Sequence, residues 1–179
     1  MTVVDEASVT LHPTRAQMGI GNAGSVYVNM GQFVRSHRLM HTDGLFNCIA
    51  VVAHHEESGY AAFTHYNTAN AFRMEADGDD DDSENYRLVI DIPSLNQLRA
   101  QLLHTLGRNA GVDFYVVFGI VWHDKPTDSA DHRRMKQELI AGVNQVLHPV
   151  SLNTGRTKLP TGILGLRFRL CSERLFYLS

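Results

Sequence analysis

Two short runs of almost unbroken apolar character dominate this chain: residues 45–53 and 59–65, separated only by the polar turn His54-His55-Glu56-Glu57-Ser58. A run of that length suits either a fully buried strand or the opening turns of a buried helix, and periodicity alone leaves both open. The brevity of the turn joins the two runs as a hairpin. Around it, residues 25–30 alternate about Val26 and Val28 and read as a strand, as do residues 87–92. Ser94 and Gln97 form a capping box for a helix whose Leu95, Leu98, Leu102 and Leu106 share one face, with Gly107 as its stop. Residues 112–122 read as a long apolar strand. A second helix spans 129–147, with Met135, Leu139, Val143 and Val146 on its inner face and Pro149 beyond its end. Residues 166–170 (Leu-Arg-Phe-Arg-Leu) alternate as a half-exposed strand, with 174–178 as its partner. Strands outnumber helices, and the helices fall between strands. The expected class is α/β: a single layered domain over 25–179, with a mixed, largely antiparallel β-sheet core flanked by two main helices.

Residues 1–24 are mixed and turn-rich and read as a flexible N-terminal lead-in. Their Gly19-Ile20-Gly21-Asn22-Ala23-Gly24 run lacks the spacing and preceding strand of a phosphate cradle. With 44% apolar residues in 179, the chain can bury a core without disulfides or metal. A net charge of −3 and the lack of a basic, aromatic-laced stripe exclude nucleic acid as the main partner. No apolar run is long enough for membrane insertion, and no basic-then-apolar signal opens the chain. The expected location is therefore cytoplasmic, or inside another cell after delivery without a cleaved signal peptide. The cysteines Cys48 and Cys171 read as free thiols in a reducing compartment. The 10 histidines form no HxH or HExxH set, so no metal is expected. The acidic run 77–82 lacks the spaced ligands and closing Glu of a calcium loop and reads as solvated.

The chemistry sits between residues 40 and 70. If the two apolar runs pair, Cys48 on the first and His65 on the second approach one another. A thiol beside an imidazole is a sound nucleophile: the histidine takes the proton, and the imidazolium holds the thiolate. A cysteine used in this way is expected to have a depressed pKa and to alkylate quickly at neutral pH. The alternative is an inert core cysteine and a packed histidine. Cys171 ends an alternating strand with no histidine near it in sequence and reads as structural or peripheral.

The segment Thr42-Asp43-Gly44-Leu45-Phe46-Asn47-Cys48-Ile49-Ala50-Val51 resembles the Thr-x-Gly-Leu-Gly-Ser-Cys-x-x-Val signature of the chemoreceptor glutamine deamidases, the CheD family. Val28-Asn29-Met30-Gly31-Gln32 resembles the Val-Gly-Met-Gly-Glu segment that precedes it. Gly59-Tyr60-Ala61-Ala62-Phe63-Thr64-His65 resembles the strand that delivers the family's histidine. The leucine helix, the strand ending Val117-Phe118-Gly119 and the helix beginning near Asp131 follow the family's order, so the likeness runs from about residue 26 to 178.

The resemblance implies a CheD-like deamidase domain in which Cys48 is the nucleophile, His65 the general acid/base, and Thr42 the residue that orients the imidazole. It implies no cofactor, and as partner a target protein carrying the substrate glutamine. Phe46 and Asn47 replace the family's Gly-Ser, which alters the oxyanion- or substrate-binding turn. Asn47 either lends its amide to the oxyanion or serves as a turn residue. The loops Phe46, Tyr60, Tyr66, Asn67 and Asn70 form an aromatic and amide mix suited to gripping a protein surface. Toxin deamidases of the cytotoxic necrotizing type share a related Cys/His arrangement, which leaves an effector acting on a host protein open beside a role in chemotaxis. A non-catalytic binding domain on the same fold is the rival from another class.

Overall fold

The computed structural model describes residues 2–4, 11–12, 25–37, 40–76, 86–123, 125–153, 167–171 and 174–178. In chain order they form strands β1 (Thr2–Val4), β2 (Leu11–His12), β3 (Ser25–Tyr27), β4 (Gln32–Ser36), β5 (Met40–Asp43), β6 (Cys48–His55), β7 (Tyr60–Asn67), β8 (Phe72–Ala76) and β9 (Tyr86–Ile90). Helix α1 (Ile92–Leu106), β10 (Val112–Phe118), helix α2 (Ala130–Leu147), β11 (Ser151–Asn153), β12 (Arg167–Cys171) and β13 (Arg174–Leu178) follow. The class is α/β, as the sequence predicts, with mostly antiparallel pairing and two helices.

The first apolar run is a strand, not a helix. β6 lies inside a sheet ordered β1-β4-β7-β6-β10-β11, and all eight of its residues are buried. Its lack of alternation has a direct cause: both faces are covered. Ile49, Val51 and Ala53 face α1 and α2, packing with Leu95, Leu98, Leu102, Leu139 and Val143. Cys48, Ala50 and Val52 face the other way, toward Val26 and Met40 of a second sheet ordered β12-β13-β5-β3-β2. Each leucine taken fully out of water on the helix side stabilises the layer by about 1.5–3 kcal/mol. The β6–β7 hairpin closes through a 3-10 turn at Glu56–Ser58 and Gly59 in the left-handed region.

Several expected boundaries shift for local reasons. α1 begins at Ile92, because Pro93 lacks an N–H and suits the first turn. The hydroxyl of Ser94 is spent on the Asp91 carboxylate rather than on capping. At the other end Gly107, with φ of 73°, donates its N–H to Leu103 and His104 carbonyls, as expected of a stop. α2 is capped by Ser129, which accepts from His132 N–H at 3.1 Å. β3 ends early because residues 29–32 turn: Gln32 N–H donates to Asn29 O at 3.1 Å, and Gly31 supplies a φ of 81°. The 112–122 strand stops at Phe118 and passes into a 3-10 turn, Ile120–Trp122.

The stretch 1–24, expected as a flexible lead-in, contributes two strands. β1 pairs in parallel with β4, and β2 pairs antiparallel with β3. The β-branched Thr2-Val3-Val4 suits such an edge position. The rest of that stretch, including the glycine-rich run, and the acidic run 77–82 lie outside the described residues. Among the described residues no helix is long and apolar enough to cross a membrane.

Candidate active site

The hairpin register decides which side chains meet. Ala50 stands opposite His65, and Cys48 opposite Asn67. Side chains directly opposite share a face, so His65 and Cys48 both face the second sheet as diagonal neighbours, with Cβ atoms roughly 7 Å apart. From that second sheet β5 brings Thr42, whose Oγ1 lies 2.8 Å from His65 Nδ1. Thr42 is fully buried and His65 nearly so. Three residues from three strands and two sheets are thus gathered into one buried layer.

Cys48 is a free thiol, only 3% exposed. Its Sγ lies 3.7 Å from Met30 Sδ and 3.6 Å from Asn47 Oδ1, and the Thr68 N–H donates to it. Burial pushes the thiol above its ordinary 9.0, and the Thr68 hydrogen bond opposes this with a smaller effect. The depressed pKa expected from sequence is therefore corrected: lost solvation of the thiolate outweighs the favourable hydrogen bond. The sign gives a first prediction. Because the thiol is the resting form, alkylation of Cys48 by iodoacetamide should be slow at neutral pH and climb as the pH passes through and beyond 9.0. A rate already level at neutral pH would contradict this assignment of the resting form.

The turn before Cys48 is held from outside. Gly44 adopts a φ of 67°, and Phe46 N–H donates back to Gly44 O at 2.7 Å. Leu45 O accepts from Ile120 N–H at 3.0 Å, Phe46 O from Val121 N–H at 2.9 Å, and Cys48 O from Gly119 N–H at 2.9 Å. The Thr68 hydroxyl donates to Asn47 O. Four consecutive carbonyls are thereby fixed. In a trans peptide C=O and N–H point in opposite directions, so the N–H groups of Asn47 and Cys48 aim away from Val121 and Thr68. Asn47 itself offers Oδ1 to the sulfur, accepting the thiol hydrogen.

Gly119 makes the arrangement possible. A Cβ there would stand 2.6 Å from Leu45 O, 2.6 Å from Phe46 O and 2.8 Å from Cys48 O. Met30, Thr68 and Gly119 were not predicted as site residues. Met30 and Gly119 do fall inside segments that carry the motif resemblance, whereas nothing in the sequence marks Thr68.

The expected gripping surface is only partly formed. Phe46 is 64% exposed at the rim and Asn70 is exposed. Tyr66, opposite Ile49, is buried in the helix-side core, where burial and nearby Asp91 push its phenol up to about 12. Tyr60 sits at the far end of β7 beneath the Arg35 guanidinium, 4.2 Å from its ring centroid. The Asn67 side chain caps the 3-10 turn Thr68–Ala71, accepting from Ala69 N–H at 3.0 Å. A cavity of about 320 Å³ lined by Tyr66, Asn70, Ser94, Gln97 and Gln101 opens on the helix side, across the sheet from Cys48. Among the described residues no cluster of His, Cys, Asp or Glu could hold a metal ion. The side chain of Cys171 lies outside the described residues.

The chain matches no protein-family model, and no curated protein matches it.

Proposed function

We propose that the chain is a protein glutamine deamidase in which Cys48 attacks the side-chain amide of a glutamine on a target protein. The observation that carries this reading is the buried Thr42–His65 contact of 2.8 Å, with Cys48 on the same sheet face. With Nδ1–H donated to Thr42, the lone pair of His65 lies on Nε2, the nitrogen that serves as base. His65 takes the Cys48 proton as sulfur bonds to the amide carbon. The oxyanion is held by N–H groups of the 45–48 turn, each such donor being worth about 2.7–4 kcal/mol. As the C–N bond breaks, His65 returns the proton to the leaving ammonia. Water, deprotonated by His65, then opens the thioester to leave glutamate and the restored thiol. A thiol that rests neutral fits this sequence, since the proton is still present to be moved when substrate arrives.

The rival reading, a binding domain with an inert buried cysteine, draws on the same raised thiol pKa. The two part on one experiment: incubation with candidate target proteins, followed by mass spectrometry for Gln-to-Glu conversion and ammonia release. The expected result is conversion at a specific glutamine, with free glutamine turned over poorly. Absence of conversion in every folded target tested, together with inertness toward free glutamine, favours the binding domain. Whether the target belongs to the same cell, as in chemotaxis, or to a host is read from which protein is converted.

A further inference from the structure

Met30 occupies an unusual position. It is 57% exposed, yet its Sδ touches the sulfur of a residue only 3% exposed. A side chain in contact with a buried nucleophile and open to water at once forms the boundary between them. We infer that Met30 is the substrate gate of this site: it covers Cys48 and must swing aside before a carboxamide can reach the sulfur. The backbone beneath it is anchored, because Gly31 N–H donates to His65 O at 2.8 Å and Met30 itself bridges to His65. The side chain above is unbranched, with three rotatable bonds, and changes rotamer at little cost. A fixed base under a mobile cover is what a gate requires. Asn47 also reaches the sulfur, but its side chain is shorter, with two rotatable bonds, and its Oδ1 accepts the thiol hydrogen.

The gate extends the deamidase reading, on which its consequence for substrate rests. A glutamine carried on a protein brings neighbouring contacts, for which Phe46, exposed two residues before Cys48, is available, and these offset the displacement of Met30. Free glutamine brings few. Met30 thereby acts as a specificity-determining residue against small amides.

The test compares wild type, Met30→Ala and Met30→Leu as full-length folded chains, with peptide mapping of Cys48 after limiting iodoacetamide across a pH series. Met30→Ala should label about tenfold faster, with the midpoint of its pH profile shifted down as water reaches the sulfur. Met30→Leu, which keeps the volume, should stay within about twofold of wild type. Met30→Ala labelling no faster than wild type, or Met30→Leu labelling as fast as Met30→Ala, would overturn the gate. In parallel, Met30→Ala should raise kcat/KM for free glutamine relative to a protein glutamine, and an unchanged ratio overturns the specificity role. Labelling needs no turnover, so a protein without deamidase activity would still report on the gate. Cys48-dependent activity with unchanged labelling would sink the gate and leave the deamidase standing.

Discussion

Alanine at Cys48 is expected to lower ammonia release from a protein target by on the order of 10⁴-fold or more, since the covalent route is then closed. His65→Ala should cost about 10²–10⁴-fold, the usual worth of a positioned acid–base. Thr42→Ala should fall between wild type and His65→Ala, because its hydroxyl positions the imidazole without moving the reacting proton. Stability must be followed beside activity. Removing the imidazole leaves the Thr42 hydroxyl buried without its 2.8 Å partner, a loss of about 1–3 kcal/mol. In a domain of this size that lowers Tm by roughly 2–4 °C per kcal/mol. The assays therefore belong well below the transition, with circular dichroism as the check that each variant is folded. Wild-type turnover by Cys48→Ala would remove the mechanism altogether. A folded His65→Ala that keeps full activity would remove the base.

The second large effect is structural. Gly119→Ala should cost about 3 kcal/mol or more, the upper range for forcing an extra carbon into a packed site, and lower Tm by roughly 6–12 °C. Torsion is not the reason, because φ of −68° and ψ of 169° suit any residue. Space is. The new methyl meets three backbone carbonyl oxygens at 2.6–2.8 Å, and each already accepts a hydrogen bond that locks the turn before Cys48. Relief requires the turn to move, so activity should fall even in the fraction that remains folded. Thermal unfolding and turnover measured on one preparation test both halves. A Tm equal to wild type would mean that the crossing of these two segments is looser than its hydrogen bonds imply.

The hairpin was readable in the sequence because a strand covered on both faces leaves a mark: it loses its alternation. The helices were readable through the spacing of their apolar residues, Gly107 and Pro149. Thr42, Cys48 and His65 were visible as residue types at motif positions. What escaped was whatever depends on backbone atoms meeting across the fold. Gly119 matters through the carbonyls that crowd it, and Thr68 through its N–H and its bond to Asn47 O. Neither leaves a trace in composition or period. Tyr66 was misread for a related reason. It stands among the expected loop residues, just past the end of the second apolar run, whereas strand alternation turns it into the helix-side core. The Cys48 pKa was misjudged because a neighbouring imidazole can be foreseen from sequence and the depth of burial cannot.

The placement of β5 also bears on the order in which the site comes together. Cys48 and His65 share a local hairpin, which can zip as soon as both arms exist. Thr42 rides on a strand flanked by β3 and β13, with Leu175 as its register partner. Such distant pairing closes late, after local structure has formed. A ribosome making this protein thus releases the Cys48 thiol and the His65 imidazole long before it has supplied β13, one of the two strands that flank Thr42. The Thr42–His65 contact therefore rests on a strand that gains its second neighbour only when β13 pairs with it.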